Sequence, residues 1–486
     1  MADYPNIVFV FADQLRYTAL ACNGNQIVRT PHIDRLAREG VSFDQAFSSC
    51  PICSPYRGQV FTGRYSHANG VMCNEYRMRP GQRTIAHVLR DAGYRTAFVG
   101  KLHLGHGPYT EDERLGFDDM IAYNCTHQYY KVSVHHNEDG PYPIREYAPR
   151  GETQLALDYI RNHTARSPGQ PFCLFMSWGP PHWTTCQGYE REYGVYPREY
   201  DVYDPQEMDV SRNVPGPLRE YTKRELADYY AMTTSLDDCV GEITRSLDEL
   251  GIADDTILCF SSDHGDHLNA HGYGKPGYGW EPPYLRGSKA TPHDEAIHIP
   301  FVMRYPKAVP ANRRTDAMLS SVDVMPTLLS LCGVPTPDEV QGRDLSHAAL
   351  GRAGDGPDSV YLQILGTGWP SRNEWIGLWR GVRTRDYVYA RWHDRGGMRV
   401  LYDLRADPLE MNNLVDDPAC ASIVDDMESR LREWIAKTDD PFDTGERLTG
   451  TGMLDLGQQL TSARAYASLP TAYREAIEKY RPADLM

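Results

Sequence analysis

At 486 residues the chain is long enough for one large domain and a smaller companion. Hydrophobic residues make up 41%, which suits a packed core and excludes a mainly disordered chain. The net charge of −16 comes with no long Lys/Arg run, which argues against nucleic acid as a general partner while leaving room for a small anion held by a few local cations.

The N-terminus reads MADYPNIVFVFADQLR. Its apolar run, residues 6–12, lacks a basic leader and is too short for a signal-peptide core. No stretch is apolar enough over a span's length to cross a membrane, so a cytoplasmic protein without membrane contact is expected. The 11 cysteines are odd in number and scattered, and reduced thiols are the expected state. Cys50 and Cys53 have CxxC spacing, but no second pair completes a zinc site and no thioredoxin-like context surrounds them.

Short β-branched or aromatic runs then alternate with amphipathic helical patterns. The first strand is NIVFVFA (6–12). RTAFVG (95–100) follows the helical TIAHVLRDAGY, PFCLFMSW (171–178) follows TQLALDYIRNH, and DTILCFSSD (255–263) follows LDDCVGEITRSLDELG. IPFVMRYP (299–306) is a further strand, trailed by VDVMPTLLSLCG. This alternation predicts an α/β fold with a large, mostly parallel sheet flanked by helices. After about residue 365 the pattern shifts to short strands and turns, as in WIGLWRGVRTRDYVYARWHD and MRVLYDLRADPLEMNNL, followed by the helical ASIVDDMESRLREWIAK. The expected division is a catalytic domain over 1–365 and a smaller C-terminal α+β subdomain with an antiparallel sheet over 366–486. The polar tail, 440–486, is expected to wrap the main body or a second subunit, making a homo-oligomer a reasonable expectation.

Ligand groups collect at the carboxyl ends of strands in such sheets. Here the segments that leave four of the strands begin ADQ, GKLHLG, GPPHW and SDHGD. Asp13-Gln14 and Asp263-His264 together offer two carboxylates, an amide oxygen and an imidazole, a set suited to a divalent cation. Each pair alone reads more simply as a strand-end cap; both pairs beside the Cys53 segment favour the metal. Lys101 and His103 place a fixed charge and a titratable base in one loop. His182 follows two stiffening prolines, and Lys289 precedes a turn; each alone also reads as an ordinary loop residue. His293 and His298 are expected to be structural.

CSPYRGQVFTGRY carries a C-x-P-x-R pattern followed by Thr62-Gly63. Together with NIVFVFADQLR, RTPHIDRLAREGVSFDQAF, AGYRTAFVGKLHLG, SSDHGDHLNAHG, KATPHDEAIHIPFVMRYP, VDVMPTLLSLCGVPTP and LYDLRADPLEMNNL, in that order, it resembles the type I sulfatases of the alkaline phosphatase superfamily. The resemblance covers most of the chain. It implies that Cys53 is converted to formylglycine by a formylglycine-generating maturation enzyme that reads Pro55 and Arg57. The hydrated aldehyde is a geminal diol: one oxygen takes the sulfuryl group, and deprotonating the other expels sulfate by elimination.

The resemblance further implies that Asp13, Gln14, Asp263 and His264 bind a divalent cation that also touches position 53, with Ca²⁺ expected ahead of Mn²⁺ or Mg²⁺. Arg57 and Lys101 would steady the diol's charge and His103 would trigger elimination. His182 and Lys289 would hold the sulfate and support the leaving alcohol, with Lys275 a competitor for the last role. Many relatives carry Asp where Gln14 stands and Asn where His264 stands. The Gln-and-His version is more similar to the choline-sulfatase and phosphonate monoester hydrolase branches, which makes Mn²⁺ and phosphoryl substrates a rival expectation. Tyr56 replaces the commoner serine of the motif.

The expected activity is hydrolysis of an organic sulfate ester, a sulfated sugar ahead of an aryl or choline ester. The rivals are a phosphonate monoester or phosphodiester hydrolase and a non-catalytic binding protein on the same scaffold. Trp183, Trp280, Trp369, Trp375 and the 124–147 loop are expected to form an aromatic rim for the substrate.

Overall fold

The computed structural model describes residues 4–74, 76–182, 196–271, 289–366, 378–393 and 397–443. The expected rim residues Trp183, Trp280, Trp369 and Trp375, the competing Lys275, and all of the tail beyond 443 lie outside the described residues.

Ten strands form one sheet: β1 (Asn6–Asp13), β2 (Val41–Phe47), β3 (Arg95–Lys101), β4 (Asp119–Tyr123), β5 (Ser133–His136), β6 (Asp139–Pro143), β7 (Phe172–Pro181), β8 (Thr256–Ser262), β9 (Phe301–Arg304) and β10 (Arg313–Ser320). Their spatial order is β10-β2-β9-β8-β1-β7-β3-β4-β5-β6. The five adjacent strands β8, β1, β7, β3 and β4 are mutually parallel. β9 runs antiparallel to both β2 and β8, so IPFVMRYP supplies a reversed strand inside the otherwise parallel block.

β1 shows why this sheet sits at the centre. Its residues alternate between two cores: Ile7, Phe9 and Phe11 point to one face, Val8, Val10 and Ala12 to the other. The first face packs against α2 (Cys53–Thr62), α3 (Ile85–Asp91) and α6 (Val324–Leu331). The second packs against α1 (Pro31–Arg38), α4 (Ala148–Arg166) and the 31-residue α5 (Arg219–Glu249). A strand apolar on both faces is stable only with helices on both sides, and this chain supplies them.

A separate antiparallel sheet holds β11 (Ser359–Ile364), β12 (Trp379–Thr384), β13 (Tyr387–Trp392) and β14 (Arg399–Asp403), in that order. The amphipathic α7 (Ala421–Lys437) covers one face through Val424, Met427, Leu431 and Ile435. The other face packs on Phe47 at the end of β2, on Cys50 and Ile52 just before α2, and on Met72 beyond it. The small sheet is thereby seated beside the segment that carries Cys53.

Candidate active site

Asp13 is the last residue of β1, Lys101 the last of β3, His182 follows β7, and Asp263-His264 follow β8. All four strands are parallel, so all these groups emerge at one edge. Cys53 opens α2, and Arg57 lies one turn on, on the same face. Asp13, Gln14, Arg57, Lys101, Asp263 and His264 are fully buried.

These side chains converge on the Cys53 sulfur. Its Sγ lies 3.3 Å from His264 Nε2, 3.7 Å from Asp13 Oδ1 and 3.0 Å from Lys289 Nζ. Lys289 Nζ also sits 3.1 Å from Gln14 Oε1, 3.1 Å from His182 Nε2 and 3.2 Å from His264 Nε2. Arg57 reaches beneath the cluster, donating to Asp263 Oδ2 at 3.1 Å, Asp13 Oδ2 at 3.3 Å and Ser177 Oγ at 2.7 Å. A further Arg57 N–H donates to the Lys101 carbonyl, and the Lys101 ammonium donates to Asp13.

Electrostatics follows from this packing. Burial by itself would raise the Asp13 carboxyl, but Lys101, His182, Lys289 and His264 hold it well below the ordinary carboxylate range. Burial and Asp13 oppose ionisation of Cys53, yet Lys289, Lys101 and His264 outweigh them and hold the thiol well below its usual range. Burial and the neighbouring Asp13 push Asp263 up. Burial, with His127 and Lys289, holds His182 well below an ordinary histidine, so it is neutral at pH 7.

The residues present fit a divalent cation. Candidate ligand atoms of Asp13, Cys53, Asp263 and His264 all lie within 4.8 Å of one another. His264 Nδ1 faces the Gly265 carbonyl at 2.9 Å, which leaves Nε2 as the ligand nitrogen. Gln14 has a left-handed backbone, φ 70°, locked by its N–H to Asp263 Oδ1 at 2.9 Å and by Tyr229 on its carbonyl. Its amide nitrogen donates to Asp266 Oδ2 at 2.8 Å, so the oxygen turns to the site. Two adjacent buried carboxylates, one pushed up by the other, are the arrangement a cation relieves.

Of the expected site residues, Asp13, Gln14, Cys53, Arg57, Lys101, His182, Asp263, His264 and Lys289 come together. His103 sits at one side: its backbone, φ 54°, donates to Asn124 O at 2.8 Å and accepts from Ser54 Oγ at 2.6 Å. Its imidazole lies against Cys125, whose sulfur is 3.7 Å from His127 Nε2. His127 in turn stacks on His182, ring centroids 3.8 Å apart and nearly parallel. Within the 124–147 loop, expected as a rim, Cys125 and His127 are half-buried beside His103 and His182. Asp266 was visible in SDHGD but has no role legible without the Gln14 contact.

The small sheet holds the Lys289 segment. Trp379 Nε1 donates to the Ala290 carbonyl at 3.0 Å, Arg383 makes a two-pronged pair with Asp294 at 3.0 Å per arm, and Glu410 accepts the Asp294 N–H at 2.8 Å.

Comparison with known proteins gives the family. Residues 5–334 match the Sulfatase family model, and residues 288–437 match the model for the C-terminal region of N-sulphoglucosamine sulphohydrolase. The chain is 31% identical over 450 residues to an ulvan-active sulfatase of Formosa agariphila, covering 90% of this chain and 82% of that protein. It is 28% identical to an endo-4-O-sulfatase of Bacteroides thetaiotaomicron, covering 92% and 95% of the two. Among solved structures, a putative sulfatase YidJ of Bacteroides fragilis superposes with TM-score 0.78 at 28% identity, covering 91% of this chain and 97% of that one. Fold and site thus define a hydrolase of the alkaline phosphatase type. The chain belongs to the sulfatase family of that superfamily.

Proposed function

We propose that this sulfuric ester hydrolase acts on a sulfated saccharide, using formylglycine at position 53 and one divalent cation held by Asp13, Gln14, Asp263 and His264. The observation that carries the reading is the convergence of His264, Lys289 and Asp13 on the Cys53 sulfur at the start of α2. That sulfur stands where the oxygen nucleophile of the mature enzyme would be. The saccharide assignment rests on the relatives, among them the ulvan-active sulfatase and the endo-4-O-sulfatase.

The cation, when bound, supplies positive charge that lowers the pKa of the nucleophile and polarises the sulfuryl oxygens. Oxidation and hydration of residue 53 supply two hydroxyls on one carbon, one to attack and one whose deprotonation later expels sulfate. Lys101 and Arg57 pair with Asp13, and Arg57 also pairs with Asp263, so both carboxylates are held in place around the attacking atom. Lys289 and the neutral His182 face each other at 3.1 Å, a pair able to bind sulfuryl oxygens and deliver a proton to the leaving alcohol. His103 is the base for elimination in this reading, held against the nucleophile's helix through Ser54.

Gln14 and His264 favour a second reading: one fewer carboxylate and an added imidazole suit Mn²⁺ and a phosphonate or phosphodiester. The deciding experiment compares an aryl sulfate, an aryl phosphonate and an aryl phosphodiester, each with Ca²⁺ and Mn²⁺, on protein verified by mass to carry the aldehyde. Fastest turnover of the sulfate, followed by release of sulfate from sulfated saccharides, supports the proposal. Faster turnover of either phosphorus ester overturns it.

A further inference from the structure

Below the catalytic edge, the loop after β8 and the segment after Lys289 meet in a second cluster. His267 and His271 come from the first, and His293 and Glu295 from the second. Candidate ligand atoms of His267, His271 and Glu295 all lie within 4.8 Å of one another. His271 Nε2 is 3.4 Å from Glu295 Oε2, and Asn213 Nδ2 donates to the other Glu295 oxygen at 2.6 Å, anchoring the carboxylate. The His293 ring lies 4.3 Å from that of His271 and 5.5 Å from that of His267, centroid to centroid. His267 and His293 are buried, and His271 and Glu295 are mostly covered. His271 holds a left-handed backbone, φ 58°, with its N–H bonded to Asn213 O at 2.9 Å.

A His271–Glu295 ion pair accounts for only two of these groups. It leaves two more imidazoles beside the same carboxylate, with the Glu410 carboxyl packed near Asp294 and Glu295. We infer that His267, His271 and Glu295 form a second divalent-cation site, of the class that takes imidazole nitrogens, Zn²⁺ or its analogue Co²⁺. Two nitrogens and one carboxylate oxygen are a recurrent protein zinc set, with a fourth position left for water or His293. The donor set differs from the oxygen-rich one at Asp13, Gln14 and Asp263, so the two sites sort ions by softness. With pairs no more than 4.8 Å apart, an ion midway lies at most about 2.8 Å from each atom, so a shift below about 1 Å reaches bonding distance. His267 Nε2 lies 2.6 Å from Thr291 Oγ1, which fixes the orientation of its ring. The ion would tie the loop carrying His264 to the segment carrying Lys289.

The test is zinc stoichiometry and affinity on the full-length protein, by metal analysis and by the visible d–d bands of the cobalt form. It compares the wild type with His271→Ala and with the isosteric Glu295→Gln, each checked for native circular dichroism. The wild type is expected to hold one more zinc ion per chain than either variant, with affinity at that site falling about 100-fold or more in each. In Asp263→Asn protein that difference should persist although turnover is lost, which separates this site from the catalytic one. Equal zinc content and equal cobalt spectra in the wild type and Glu295→Gln would overturn the inference.

Discussion

At the scale of single residues, the site is a buried charge balance centred on one sulfur. Replacing Cys53 by alanine removes the atom on which the rest converge and leaves their ion pairs intact. Turnover should fall to background while the thermal midpoint stays within a few degrees of the wild type; measurable residual turnover on the aryl sulfate would refute the nucleophile assignment. Lys289 differs, because it is only partly buried and sits beside His182. Lys289→Ala should cost about 10²-fold or more on esters of poor leaving groups and clearly less on activated aryl esters, since only the former need a proton on departure. Parallel losses in kcat/KM across a leaving-group series would count against that role.

At the scale of elements, α4 carries an unusual group behind the site. Glu152 is fully buried near Tyr123 and Lys101, and burial pushes its carboxyl up to about 8 despite both neighbours. The folded state therefore keeps a proton that the unfolded chain releases near pH 4.5. Native protein binds more protons between those values, so stability should fall as pH rises from about 4.5 to about 8. Glu152→Gln should flatten that slope and stabilise the protein at pH 8 by a few kcal/mol, read from urea midpoints across the range. An unchanged slope would show that Glu152 is ionised in the fold.

At the scale of the whole molecule, the small sheet grips the segment that carries Lys289. Its own anchorage runs through Asp440, which takes Arg380 Nε at 2.7 Å and Nη2 at 3.0 Å, the Tyr361 hydroxyl at 2.8 Å and His67 Nδ1 at 3.2 Å. Arg380, ahead of His67, holds the Asp440 carboxyl far below its usual range against the opposing effect of burial. Its contribution is complete above about pH 4 and is lost as pH falls toward the folded value. Asp440→Asn should cost roughly 3–5 kcal/mol at neutral pH, because it strands the buried Arg380, and the deficit should shrink in acid. A chemical-denaturation series at pH 7 and pH 3 measures both.

The strands around β1 were legible because they are apolar on both faces, as a strand covered by helices on both sides must be. The candidates Asp13, Lys101, His182, Asp263 and His264 were legible too, because each stands at or just after the end of such a strand. β4 to β6 and β10 gave no comparable signal. They are short or edge elements rich in Asp, His, Pro or Arg, and β6 is exposed throughout. The sequence of β9 looks like that of its parallel neighbours; its reversal shows only in its antiparallel pairing with β2 and β8, which no local pattern encodes.

From the linear order of residues came the α/β class, the C-x-P-x-R segment and the polar, metal-type strand ends, since each is a local pattern of burial or chemistry. Tertiary structure alone decided that Asp266 aims Gln14, that His127 stacks on His182, and that a C-terminal sheet positions Lys289. It also decided that His267, His271 and Glu295 meet. Those contacts join residues that the chain separates, so only packing brings them within hydrogen-bond or ligand distance.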